Sequence, residues 1–442
     1  MFRNTLIVLV LSLSCNGRDL SAQDWPTWRG IAQNSVSTEQ GLPTEWSETS
    51  NLLWKVEIPF FGNNTPIIIG DSLFFTSQDE TNSLLLFHVD KNSGKTIWKR
   101  EIGKDRTPRA GDGKGMRGWQ KFHELQNLAT PSVAADQEVI IAHFGNGDTA
   151  AYDWTGHLLW KKNMQEEYGI YTIWWGNANT PVLYENLMIM IRLNDDCRDF
   201  WQEGKISDSF VIAFDKKTGQ AAWKTARNIP SDAEYCDAYN TPVLWQHEGR
   251  TELIVFGSET LDAYNPQNGE RLWWLDKELQ GNRVVPTPTL LPDSGVILGV
   301  RGKAGAAFAV KPKGLGEQSE EIFLWSESKN TPDVPALISD GKIVLMSSDD
   351  GILNCMELMT GSKLWSKRLP SGKYYPTPIL SGDGNAYFLN GNGICSVVKM
   401  ADEFELIAEN HLEDQFIASI AVSDGKLYLR GKHFLYCIGK LH

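Results

Sequence analysis

The phrase AFDKKTGQAAW, Ala213–Trp223, is rewritten along the chain, and this repetition constrains the fold more than any other feature. Echoes stand at Val89–Trp98 (VDKNSGKTIW), Ala151–Trp160 (AYDWTGHLLW), Ala263–Trp273 (AYNPQNGERLW) and Met356–Trp365 (MELMTGSKLW). A second mark alternates with it, a Thr-Pro or its relic ahead of an apolar run: NTPIII at Asn64, ATPSVA at Ala129, NTPVLY at Asn179, NTPVLW at Asn240, PTPTLL at Pro286, DVPALI at Asp333, PTPILS at Pro376 and IASIAV at Ile417. Between the marks lie short runs of alternating polarity such as SLFFTS, LMIMIR, KIVLMS and KLYLRG, bounded by Gly, Asn and Asp. Period-two alternation between turn residues reads as β-strand, and helical spacing is almost absent.

Each unit therefore reads as four antiparallel strands. In the turn FDKKTGQ, Asp215 and Thr218 can bond the turn backbone, and Gly219 can take positive φ without steric penalty. One four-stranded unit leaves a greasy face uncovered, whereas a ring of such units covers all of them. The expected fold is all-β, an eight-bladed propeller. The last unit, FIASIAVSDGKLYLRGKHFLYCIGK, stops after its third strand, and the N-terminal NLLWKVEIP has no opener of its own. Leu52–Ile58 is thus expected to pair with Phe434–Ile438 and close the ring. The tryptophans ending the phrases, Trp98, Trp160, Trp223, Trp273, Trp325 and Trp365, with Trp54 in the closing strand, are expected to seal one blade against the next.

The phrase resembles the tryptophan-docking repeat Ala-x-Asp-x-x-x-Gly-x-x-x-Trp of the exported, eight-bladed PQQ-type (pyrroloquinoline quinone) propellers. Ala213, Asp215, Gly219 and Trp223 match it fully; Asn265 and Glu357 replace the Asp in other copies. The resemblance runs from about Asp24 to the C-terminus and includes DWPTWRG at Asp24–Gly30. It implies the fold. For function it implies either a non-catalytic propeller like the outer-membrane assembly factor, or a quinoprotein dehydrogenase with PQQ and Ca²⁺ on the ring axis.

The first residues, MFRNTLIVLVLSLSCNGRDLSAQDW, read as an export signal: Arg3, an apolar run Leu6–Leu13, then small residues. Cleavage after Ala22 gives an exported protein of the periplasm or cell envelope, and lipidation at Cys15 is the alternative. The domain plan is then a signal over 1–22, an N-terminal extension over 23–50 and the propeller over 51–442. No later run is long enough to be a transmembrane helix. A net charge of −13 argues against general affinity for nucleic acid, and a monomer is expected. The cysteines contain no CxxC pair, so no zinc or thioredoxin-type motif is suggested.

Long segments point to the elaborated face. In a four-stranded blade, the loop between the second and third strands and the connection to the next blade emerge together, so segments 103–128, 163–178, 194–208 and 228–239 should crowd one end of the axis. The first carries six basic and two acidic residues from Gly103 to His123, and Arg117, Trp119 and His123 could hold an anion there; a solvated Gly-rich loop is the plainer reading. Trp174 and Trp175 could stack on a ring or sugar or simply pack their loops. Arg192, Asp195, Asp237 and Arg301 complete the ligand-binding candidates. Cys197 and Cys236 could form a disulfide across this face. Cys355 and Cys437 occupy the small-residue slot of Ala213 and read as core fillers.

There is no Cys-Cys pair, HExxH, P-loop or G-x-S-x-G. The expected function is therefore a binding scaffold without catalytic or metal-ligating residues and without a cofactor, recruiting a protein, peptide or glycan on its long-loop face. The alternative is the PQQ-dependent dehydrogenase.

Overall fold

The structure is a computed structural model. It describes residues 21–59, 62–105, 126–169, 171, 173, 176–193, 208–229, 238–276, 279, 281, 283–303 and 305–440. The described residues form eight sheets arranged as a propeller, each built on an antiparallel meander, with a short α-helix at Met164–Tyr168 and a 3-10 turn at Glu320–Ile322. The first blade consists of Ile67–Ile69, Ser72–Gln78, Ser83–Asp90 and Thr96–Lys104 in spatial order, and the next six repeat this meander. The eighth combines Ala421–Ser423, Lys426–Arg430 and Phe434–Ile438 with the N-terminal strand Leu52–Glu57. The closing register pairs Trp54 with Cys437 and Glu57 with Phe434, as the incomplete last unit requires.

The repeated phrase forms the outer hairpin of blades 1–4 and 6. In blade 3, Asp215 Oδ1 accepts from the Lys217 and Thr218 amides and the Thr218 hydroxyl, and Gly219 takes φ +69°. A Cβ on Gly219 would stand 2.7 Å from the Trp160 ring, because the indole of the preceding blade lies on that turn. The indole N–H then donates to a turn carbonyl next door. Trp160 bonds Lys216 O at 2.9 Å, Trp54 bonds Lys91 O at 3.1 Å, Trp98 bonds Trp154 O at 3.2 Å and Trp223 bonds Pro266 O at 3.2 Å. Trp325 and Trp365 do the same to Leu358 O and Ala401 O at 2.6 and 3.0 Å.

Trp273 departs from this pattern: its N–H donates to the buried Glu252 carboxylate at 2.8 Å. The reason lies in blade 5, whose outer hairpin makes a long excursion. Gly316–Glu317 from that excursion adds a parallel strand beside Trp273–Trp274, so no tight turn faces the indole. Cys355 pairs across its hairpin with Trp365, as Ala213 does with Trp223. Cys355, Cys395 and Cys437 are buried free thiols, and burial pushes the first and last up to about 12.

His143 lies in the blade 2 core, its Nδ1 2.8 Å from Thr149 Oγ1 and its ring edge-on to Tyr171. Burial lowers its pKa to about 4, and His88 is lowered to about 4 by the same cause. Between pH 6.5 and 4 the unfolded chain thus binds protons that the folded chain refuses. Stability is full above pH 6.5 and falls as the pH drops toward 4, with His143 alone contributing on the order of 2–3 kcal/mol of that loss. Urea midpoints across this range should fall with acidity, and His143→Gln should flatten part of the slope. An unchanged slope would refute the assignment.

Candidate functional site

Each inner strand enters the ring through its opener, and the openers are stitched to one another. The Ser132 amide donates to Thr180 Oγ1, Thr180 N to Thr241 Oγ1 and Thr241 N to Thr287 Oγ1, each at 3.0–3.1 Å. From blade 6 onward the same bond runs from Ala336 N to Thr377 Oγ1, from Thr377 N to Ser419 Oγ and from Ser419 N to Thr65 Oγ1, at 2.9–3.2 Å. The result is a collar of hydroxyls around the axis. At blade 6 the collar residue is Ala336, and at blade 2 it is Ser132, which donates instead to Thr65 O at 3.2 Å. The Thr-Pro mark at Thr130 and the relic at Val334 thus stand two residues ahead of the equivalent positions in the other blades.

The N-terminal extension crosses one end of this collar. Trp25 bridges to Ile68 of blade 1, Leu244 N of blade 4 donates to Gln33 Oε1, and Val36 bridges to Leu380 of blade 7. Between these contacts Arg29 enters the ring and is 1% exposed. Its Nη1 donates to Thr287 O and Pro288 O at 3.2 and 2.8 Å, its Nη2 to Thr289 Oγ1 at 2.6 Å and its Nε to Ser35 Oγ at 3.0 Å. Arg29 thereby meets blade 5 on the side where the collar lacks a hydroxyl. Burial lowers its pKa to about 9, so it stays cationic at neutral pH.

Above the collar, on the face where the connections between blades arrive, an axial cavity of about 480 Å³ opens. Trp28 and the collar line its depth, and Gln126, Tyr239, Arg283, Lys303, Asp349 and Tyr375 stand among its wall residues. Arg283 Nη2 meets Asp333 Oδ2 at 3.2 Å. Asp349 Oδ1 accepts from the Asp333 and Val334 amides at 2.8 and 3.2 Å, while burial, opposed by these bonds, leaves its pKa raised. A second cavity of about 330 Å³ lies between the extension and the inner strands of blades 2–4, sharing Trp28, Thr180, Thr241 and Thr287 with the first.

Of the ligand-binding candidates, Arg192 and Arg301 are described. Arg192 is buried at the end of Leu187–Arg192, where it donates to Tyr168 O, to Gly169 O at 2.9 Å and to Asp208 O at 3.0 Å. Its guanidinium anchors two backbone segments, 168–169 and 208, and it does not stand among the cavity's wall residues. Arg301 lies over the Phe323 ring at 5.5 Å and is likewise outside that wall. Arg117, Trp119, His123, Trp174, Trp175, Asp195, Asp237 and the pair Cys197 and Cys236 lie outside the described residues. Arg283 and Asp349 escape a sequence reading because no motif marks them, and Trp28 and Arg29 in DWPTWRG and Asp333 in DVPALI carry no sign there that ring closure brings them to the axis.

No protein of curated function matches the chain in sequence. Solved structures match it in fold. The BamB of Moraxella catarrhalis superimposes with a TM-score of 0.57 at 13% identity, covering 88% of this chain and 99% of that one. The quinohemoprotein alcohol dehydrogenase of Comamonas testosteroni gives a TM-score of 0.66 at 12% identity, covering 95% and 81%. That of Pseudomonas putida HK5, ADHIIG, gives 0.61 at 11% identity with the same coverage. Identities this low speak for the fold alone. The sequence profile of one family, PQQ_2, matches residues 104–367. The chain belongs to that family, described as outer membrane protein assembly factor BamB.

Proposed function

We propose that this chain is a binding propeller of the cell envelope that recruits a protein or peptide partner through the face carrying the axial cavity. The observation behind this reading is the asymmetry of the two faces. One end of the axis is crossed by the N-terminal extension, while the other opens into the cavity and receives the inter-blade connections. Loops on a rigid scaffold are where recognition residues concentrate. Membership in a family described as an assembly factor supports a recruiting role. Export is part of the same proposal, and among the described residues no helix is long and apolar enough to cross a membrane.

The test is site-specific photo-crosslinking in the native envelope. A crosslinker at Tyr375 on the cavity wall should give a discrete protein adduct, whereas one at Ser93, in an exposed outer turn, should give none. Adducts from Ser93 alone, or from neither position, would overturn the proposal.

The axial cavity also favours a second reading, a quinoprotein-type oxidoreductase. The described residues do not fit the PQQ–Ca²⁺ group. The cavity's carboxylates are engaged by Arg283 and by backbone amides, and no cluster of three metal-ligating side chains occurs among the described residues. We derive no chemical step through the group. Retention of quinone absorbance after incubation with PQQ and Ca²⁺ and desalting would revive this reading.

A further inference from the structure

We infer that the axial cavity holds a small carboxylate at the hydroxyl collar. This site goes beyond the partner-binding role of the face. Thr65, Thr180, Thr241, Thr287, Thr377 and Ser419 are each between 3% and 7% exposed, and all line the cavity. Every one of their oxygens already accepts a backbone amide from the preceding blade. What each hydroxyl still offers is its proton, and among the described residues none of the six donates to an acceptor. Each proton is therefore available to whatever fills the cavity. Six of them around one axis form a ring of donors, and an acceptor-only group set against one side of it can take protons from neighbouring members.

The charge below the collar selects the sign. Arg29 bonds the blade 5 inner strand at Thr287, Pro288 and Thr289. Its partners are two carbonyls and two hydroxyls, all neutral, so among the described residues it is a buried cation without a carboxylate. Charges interact more strongly in such a setting than in water. At the rim, Asp333 is held by Arg283, and the wall's charged residues are two cations, Arg283 and Lys303, and two carboxylates, Asp333 and Asp349. The wall's charges balance in number, and Arg29, behind the collar at Thr287, adds one positive charge. One charge and a ring of hydroxyl donors suit a monoanionic, acceptor-only carboxylate better than a doubly charged sulfate or phosphate. The carboxylate has two sources, a free small acid or the C-terminus of a peptide reaching down the axis, and a cavity of about 480 Å³ has room for either.

Calorimetric titration of the whole protein tests the site. N-acetylglycine should bind saturably, and the neutral N-acetylglycinamide at least about tenfold more weakly. Acetyl-tetra-alanine acid separates the sources: tighter binding than N-acetylglycine points to a peptide terminus, and equal or weaker binding to a free acid. The double variant Thr241→Val, Thr377→Val should lose about tenfold in affinity, and serine at the same positions should retain it. Arg29→Gln should weaken the acid and leave the amide unchanged. Equal affinity for acid and amide in the unaltered protein, which depends on no variant folding, overturns the proposal. So does the absence of saturable binding by both acids. Partner adducts at Tyr375 report on the face independently, so the two proposals fail separately.

Discussion

Replacing Asp262 with alanine should lower the unfolding free energy by about 3–5 kcal/mol, the loss expected when one partner of a buried ion pair is removed. Asp262 is fully buried in the third strand of blade 4, between two arginines from different blades. Arg227, just beyond the outer strand of blade 3, donates through Nε to Asp262 Oδ2 at 2.7 Å and through Nη2 to Gly257 O and Thr260 O. Arg271 reaches Oδ1 from the other side and bonds Asp276 at 3.1 Å. Alanine would leave Arg227 buried and charged against two carbonyls. Arg227→Met should also destabilise, and the double variant Asp262→Leu, Arg227→Met should cost less than the two single changes summed, since neither charge is then stranded. Urea unfolding of the four proteins measures this. An Asp262→Ala change below about 1 kcal/mol, within the range of exposed ion pairs, would show that the cluster is surface decoration.

The ring was legible because its signals are local. Asp215, Gly219 and Trp223 sit within a few residues of one another, and the turn they specify is the one that receives the neighbouring indole. Closure by Leu52–Glu57 was legible for a related reason: a unit missing its outer strand and a strand missing its unit can satisfy each other. Register was harder to read. Proline restricts its own φ and the residue before it, but it does not fix which hydroxyl faces the axis. Thr130 and Val334 accordingly mark their strands while Ser132 and Ala336 occupy the collar.

The site was nearly invisible. Arg29 meets partners more than 250 positions away, and the collar draws its hydroxyls from most of the blades around the ring. No spacing rule links residues so far apart. Arg192 illustrates the converse difficulty. A basic residue ahead of a long acidic loop reads as a ligand contact, yet its donors are spent on the carbonyls of Tyr168, Gly169 and Asp208. Composition is identical in the two cases, and only the backbone path decides between them.

A chain beginning at residue 59 should fail to unfold cooperatively, whereas one beginning at residue 49 should remain folded with reduced stability. The shorter deletion removes Trp25, Leu42 and Trp46, all at most 5% exposed, together with the buried Arg29. Those losses weaken one end of the axis but leave all eight sheets complete. The longer deletion also strips the outer strand from blade 8, exposing the edge of Phe434–Ile438, where Leu435, Tyr436, Cys437 and Ile438 are fully buried. It takes Trp54 as well, whose N–H binds Lys91 O and whose ring lies on the Gly94 turn. That indole seals the last blade to the first, and its loss leaves Lys91, bonded to Ser423 and Asp424, to hold the outer hairpin of blade 1 against blade 8. The cost should exceed the about 3–5 kcal/mol of a single buried Trp→Ala change, because strand pairing and burial disappear with it. Dye binding to exposed apolar surface and a broadened urea transition should mark the shorter chain. A peptide spanning 49–58 added in trans should restore the sharp transition by strand addition. Equal midpoints and slopes for the two truncated chains would mean that the ring holds without its closing strand.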